Sequence, residues 1–197
     1  WDLADEADDE RPARKIAAAL PDDATVVTIG WPTVAGAALM RRGDVTVLCA
    51  DSRHEASSFM QRLERFDVAC EPLPFESLAR AVASADLVMI EGAAACPQRI
   101  LAPIGSHVVA AVAASLDVPV WCVLGVGRRL PVEYVDEIGT RVLVVNESGS
   151  VCDREIDDVP VGLVTHVASI DGVSVDLAAA LRPTSAYTPE LMRSSPI

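Results

Sequence analysis

Short runs of apolar and β-branched residues recur along this chain, separated by stretches with helical spacing. Thr25-Val26-Val27-Thr28-Ile29, Val45-Thr46-Val47-Leu48-Cys49, Leu87-Val88-Met89-Ile90 and Val120-Trp121-Cys122-Val123-Leu124 are such runs. A strand with one face to water alternates apolar and polar residues, whereas one that is apolar throughout is covered on both faces. Double coverage arises where each strand is followed by a crossover helix that returns the chain parallel to itself. The pattern predicts an α/β fold: a three-layer, Rossmann-like sandwich, mostly parallel sheet with helices on both faces.

Helices are predicted over residues 11–20, 31–42, 54–66 and 75–83. The longest helix is expected to start near Ser106 and end before Val118. Further short strands are expected at 68–73, 142–145 and 161–164, and a turn of helix at 189–192. Residues 1–10 are acidic and expected to be disordered, which leaves residues 11–197 as a single Rossmann-like domain. Internal repeats and low-complexity linkers are absent from the sequence.

Charge narrows the partners. The formal net charge is −13, from 16 Lys+Arg against 29 Asp+Glu. Such a balance disfavours a nucleic-acid backbone or an anionic membrane surface. No apolar run approaches the roughly 20 residues of a membrane span. The start, Trp1-Asp2-Leu3-Ala4-Asp5-Glu6, is unlike a signal peptide, so a cytoplasmic location is expected. Lys15 is the only lysine. An acidic surface with arginine in place of lysine suits a halophilic cytoplasm, where salt screens self-repulsion; a GC-rich genome gives the same bias. Five scattered cysteines, Cys49, Cys70, Cys96, Cys122 and Cys152, form no CxxC pair. They are expected to be free thiols, with no metal site and no cofactor.

In a doubly wound sheet, ligands sit in the loops beyond the carboxyl ends of the strands. The first such loop is Gly30-Trp31-Pro32-Thr33, a glycine leading into a helix start that can seat an anion. The second is Asp51-Ser52-Arg53-His54, where the Arg53 guanidinium can fork onto a phosphate or simply lie in solvent. The third is Glu91-Gly92-Ala93-Ala94-Ala95, followed by Ile104-Gly105-Ser106 at the head of a helix. Ser106 serves there as an N-cap, or the helix amides hold a phosphate. The fourth is Arg128-Arg129, after Gly125-Val126-Gly127. No GxGxxG fingerprint is present, which argues against a nicotinamide cofactor. Glu91 is the best-placed carboxylate, but proton transfer needs a second group within reach. Cys96 is the nearest other candidate.

These segments, in this order, resemble a superfamily. It holds the alpha, beta and delta regulatory subunits of translation initiation factor 2B, methylthioribose-1-phosphate isomerase and ribose-1,5-bisphosphate isomerase. Val26-Val27-Thr28-Ile29-Gly30 is similar to its first strand end, and Ala50-Asp51-Ser52-Arg53 to its "E(S/T)RP" loop. The segment from Ala85 to Ala93 is similar to its "VDxVLVGAD" strand, and Ile104-Gly105-Ser106 to its "NKIGT" helix start. Asp117-Val118-Pro119-Val120-Trp121 follows like its "xVPVYV" strand, with Thr188-Pro189 near the end. The resemblance covers roughly residues 11–192.

The resemblance implies this fold and a homodimer. It also implies a ligand, a phosphorylated sugar or nucleotide, held by Gly30, Thr33, Arg53, Gly92, Ala94, Gly105, Ser106 and Arg128. A translation-factor partner is a further implication. The isomerases use a cysteine that falls on Gly30 and an aspartate that falls on Ala94, and neither residue here can move a proton. Their "NK" pair becomes Ala102-Pro103, while the lysine of their fourth loop falls on Arg128. The N-terminal helical region of the family, with its "RGAP"-type phosphate loop, has no match and is expected to be largely missing. The expected function is therefore a non-catalytic, factor-2B-like regulator or sensor. The alternatives are a divergent aldose–ketose isomerase with Glu91 and Cys96 as substitute groups, and an assembly subunit without a small ligand.

Overall fold

The computed structural model describes residues 2–143 and 155–192. Its main sheet has seven strands: β1 (Thr25–Ile29), β2 (Thr46–Ala50), β3 (Ala69–Leu73), β4 (Leu87–Gly92), β7 (Val120–Leu124), β9 (His166–Ser169) and β10 (Gly172–Ser174). They lie in the order β10-β9-β7-β4-β1-β2-β3. Every pairing is parallel except that of β10 with β9. From β1 the chain winds outward through β2 and β3. It then returns to β4 and winds the other way through β7 and β9. The order reverses between β1 and β4, which opens a crevice at their carboxyl ends.

Helices cover both faces. On one, α1 (Asp2–Ala19), α2 (Val34–Leu39) and α3 (Ala56–Glu64) bury Ile16, Leu39, Phe59 and Leu63 against the sheet, with Leu20 just after α1. On the other, α4 (Leu78–Ser84) and α5 (Ser106–Ser115) bury Val82, Val109, Ala110 and Ala113. Full burial of each large side chain supplies roughly 1.5–3 kcal/mol. The strands β4 and β7 are buried at every position, as their mostly apolar sequence requires, with Glu91 the one charged residue in them. The α/β, Rossmann-like fold expected from the sequence is the fold observed.

Several local expectations are corrected. The helix expected over residues 11–20 is α1, Asp2–Ala19, with Pro12 inside it. The helix that begins at Ser106 has 10 residues and is shorter than α1, with 18, and α6 (Val132–Leu143), with 12. Residues 142 and 143, expected in a strand, belong to α6, because Val132, Val135, Ile138 and Val142 recur at helical spacing. Residues 144 and 145 lie outside the described residues. Val161–Leu163 is a 3-10 turn, and the strand begins at His166. Pro160 removes a ladder donor and Gly162 weakens an extended run.

A second, three-stranded antiparallel sheet has no counterpart in the sequence reading. It comprises β5 (Ala94–Cys96), β6 (Arg99–Pro103) and β8 (Ile156–Val159), in that order. Its strands are short, and β8 carries Asp157 and Asp158 between two apolar residues. A last helix, α7 (Leu177–Ala180), precedes the expected turn at Pro189–Met192. Cys49, Cys96 and Cys122 are buried free thiols and Cys70 is a half-buried one; Cys152 lies outside the described residues. No helix among the described residues is long and apolar enough to cross a membrane.

Candidate functional site

The crevice between β1 and β4 gathers most of the expected residues. Gly30 follows β1 with φ +64°, and its amide donates to the Ala50 carbonyl at 2.9 Å. A Cβ there would lie 3.1 Å from Ser52 Cβ, so the first two loops are packed together. Ser52 in turn donates to the Ile104 carbonyl at 3.0 Å, tying the second loop to the head of α5. Gly105 has φ +94°, and a Cβ there would meet Ile29 Cδ1 at 2.5 Å. Only glycine fits both that dihedral and that approach.

Glu91 lies on β4 and is only 8 % exposed. One carboxylate oxygen accepts from the Thr33 hydroxyl at 2.6 Å, and the other from the Ala35 amide at 3.0 Å. Thr33 stands at the N-cap of α2, yet its side chain makes no cap. Glu91 reaches over from the neighbouring strand and closes that helix start instead. Burial raises the Glu91 pKa above the ordinary carboxylate value, against the opposing pull of Thr33, Ala35 and the Arg128 charge. Arg128 is half-buried, approaches the Gly92 carbonyl at 3.5 Å, and has no carboxylate within 4 Å among the described residues.

The head of α5 is closed in the same way. Asp157 of β8 accepts from the Gly105 amide at 2.8 Å and the His107 amide at 3.0 Å. Ser106, expected as N-cap, is the first helical residue; its hydroxyl is fully buried and makes no hydrogen bond. Arg53 pairs with Glu155 at 2.7 Å, just before β8. Arg53 and His54 both have positive φ, +56° and +64°, so this loop holds strain that its contacts must offset. Thr33, Arg53 and Gly105, three of the expected ligand contacts, are thus engaged by the chain's own acids. Neither Asp157 nor Glu155 was singled out from the sequence, since a strand carrying acids gives no ligand signal.

Ala94 and Cys96 lie elsewhere. Both are buried on β5, packed with Leu101 of β6 and Val135 of α6. No hydrogen bond joins Cys96 to Glu91 among the described residues. The Cys122 thiol is pushed up to about 12 by burial and by Glu91, and Cys49 to about 12 by burial; neither supplies a thiolate nucleophile. No group of acids, histidines and cysteines among the described residues could hold a metal ion.

This arrangement defines a Rossmann-like α/β protein with a small antiparallel sheet inserted after the central strand. No family model and no curated protein matches the chain. Solved structures do. Against eIF2B beta of Chaetomium thermophilum the TM-score is 0.68 at 17 % identity, over 88 % of this chain and 55 % of that one. Against the tetrameric eIF2B-beta2-delta2 complex of C. thermophilum it is 0.71 at 17 %, over 90 % of this chain and 60 % of that one. Against the Pyrococcus horikoshii OT3 translation initiation factor eIF-2B it is 0.69 at 11 %, over 85 % and 64 %. The chain has the eIF2B-like fold and spans between 55 % and 64 % of the length of these three proteins.

Proposed function

We propose that this chain is a non-catalytic, eIF2B-like regulatory protein that works in the cytoplasm as part of an assembly with a second copy or a translation-factor partner. The observation that carries this reading is the occupation of the crevice by the chain's own carboxylates. Glu91 engages α2, Asp157 engages α5, and Glu155 engages Arg53. An enzyme for phosphate esters keeps such donors free for substrate. Ala94 adds to this: the methyl group where the resembled isomerases place an aspartate is buried in the small-sheet core. Among the described crevice residues, Arg128 is the cation without a carboxylate partner and would meet a phosphorylated sugar or nucleotide, so any such ligand binds as a weak, sensed effector. The net charge of −13 suits a cell interior rich in salt.

Phosphorus NMR in molar potassium chloride tests this. Ribose 1,5-bisphosphate and methylthioribose 1-phosphate are expected to remain unconverted. Resonances that broaden on adding protein, and sharpen again with Arg128→Ala, identify the sensing form. Conversion to a ketose overturns the proposal and favours the divergent isomerase, for which the buried Glu91, its pKa raised by burial, is the motivating observation. That reading requires Glu91→Gln to abolish turnover.

A further inference from the structure

We propose that residues 182–190 form a detachable strap whose grip on Arg129 sets where its neighbour Arg128 points. The device acts on the crevice whether or not a ligand binds there. Residues 128–130 lie beside β5 as a short extra strand, with Ala95 bridged in parallel to Arg129. The Ala95 amide donates to the Arg128 carbonyl at 2.8 Å, and the Leu130 amide to the Ala95 carbonyl at 2.9 Å. Consecutive side chains of an extended segment point to opposite sides. Arg128 turns to the Gly92 carbonyl, at 3.5 Å. Arg129 turns away, to Asp171 at 2.8 Å and the Ala180 carbonyl at 3.3 Å. The two share one stretch of backbone, so what holds Arg129 also orients Arg128.

The strap is fastened at two places. At one, the Arg129 carbonyl accepts from the Thr184 amide at 3.1 Å and from the Thr184 hydroxyl at 3.3 Å. At the other, on the first turn of α6, the Tyr134 hydroxyl donates to the Thr188 carbonyl at 2.9 Å and accepts from the Thr188 amide at 2.8 Å. The Tyr134 and Tyr187 rings pack there with centroids 5.2 Å apart. Residues 184–188 therefore run alongside residues 129–134, joined to them at both ends.

Burial makes the strap detachable. Leu181 is fully buried, but every residue from 182 to 190 is exposed. The entropy lost in ordering such a segment is offset by hydrogen bonds that water can replace and by one aromatic pair. Segments with few buried contacts open at a lower free energy than the core. When the strap lifts, Arg129 keeps Asp171 and loses Thr184. Arg128 then has the long contact to the Gly92 carbonyl as its one side-chain hydrogen bond among the described residues, and its charge is free to move away from Glu91. Thr33, Ala35, Cys122 and Arg128 bear on Glu91, and of these Arg128 is the one the fourth loop carries.

Amide hydrogen exchange of the full chain, followed residue by residue by NMR, tests the device. In the wild type, the Thr184 and Thr188 amides are expected to exchange at a common rate, faster than the amides of β4 and β7. Tyr134→Phe removes the hydroxyl and keeps the ring. It is expected to speed Thr184 and Thr188 at least about 10-fold and Leu130 at least about 3-fold, with β4 and β7 unchanged. Tyr187→Ala, which keeps the Tyr134 hydroxyl, is expected to act in the same direction. A second readout is the carboxyl carbon resonance of Glu91 through a pH titration. Arg128→Ala takes away a positive charge that favours the carboxylate, so the midpoint is expected to rise. Tyr134→Phe is expected to raise it too, by less. Strap amides as slow as those of the core overturn the detachable strap, and so does a Thr184 amide that ignores Tyr134→Phe. A strap that opens while Leu130 and the Glu91 midpoint stay put overturns its hold on Arg128.

Discussion

Two helices begin at the crevice, and each is closed by a carboxylate from a strand distant in sequence. At α2 the carboxylate is Glu91, buried, on the central strand of the main sheet. At α5 it is Asp157, half-buried, on the edge strand of the small sheet. Both carboxylates accept from a backbone amide of the helix start, Glu91 with a hydroxyl beside it and Asp157 with a second amide, but the surroundings differ. A buried acceptor cannot be replaced by water when it is lost, whereas a half-exposed one can. The head of α2 is therefore a fixed part of the core. The head of α5 is held by a half-exposed acceptor that water can replace.

The largest effect that would break this comparison is expected at Glu91. Glu91→Ala leaves the Thr33 hydroxyl and the Ala35 amide without their acceptor. The Ala35 amide is buried and has no water to turn to, whereas Thr33 is exposed and its hydroxyl can bond solvent; one orphaned buried group costs about 1–3 kcal/mol, so a melting temperature lower by roughly 2–12 °C is expected. Glu91→Gln sharpens the test through pH. Burial raises the folded pKa of Glu91, so the fold favours the protonated form. That stability is fully present below the ordinary carboxylate pKa and is lost as pH rises through the raised folded value. The melting temperature of Glu91→Gln relative to wild type is expected to rise over that window, and to be flat below it. A difference that does not change with pH would show that Glu91 is not held above its usual value.

Asp157→Ala is expected to cost less, about 1–2 kcal/mol, as for other lost helix caps. It also frees the Gly105 and His107 amides. Inorganic phosphate is then expected to stabilise the variant against heat more than it stabilises wild type. Equal effects of phosphate on both would mean that the head of α5 does not accept an anion even when uncapped.

How much of this was legible in the sequence follows from the same contrast. The main sheet announces itself, because β1, β2, β4 and β7 need cover on both faces and so are built mostly of apolar and β-branched residues. The small sheet is silent: β5 is Ala94-Ala95-Cys96, and β8 pairs two acids with two aliphatic residues. The elements that give away the fold are thus the ones buried on both sides. Glu91 is visible as a carboxylate just after an apolar run, and the structure places it inside β4 rather than in the loop beyond. Its role was not visible, because the donors come from Thr33 and Ala35, nearly 60 residues away. Asp157 was invisible for the same reason, being some 50 residues from the amides it caps. Ser106 shows the converse: a residue type suited to capping, placed one position too far into the helix to do so.

Arg53 carries the smallest expected effect, and it separates two terms that the strained loop combines. Its ion pair with Glu155 joins two side chains that are 49 % and 61 % exposed. Such a pair contributes about 0–1 kcal/mol, less in high salt. Its backbone, with φ +56°, costs a side-chain-bearing residue about 1 kcal/mol that glycine would not pay. Arg53→Ala removes the pair and keeps the strain, so a small loss is expected. Arg53→Gly removes both, so a change near zero is expected, with the glycine variant melting above the alanine one. Melting temperatures of the two variants at low and high potassium chloride decide it. If alanine and glycine behave alike, the left-handed conformation costs nothing here. If both match wild type in every salt, the Glu155 contact contributes nothing to closing the crevice, and Asp157 alone holds the head of α5 shut.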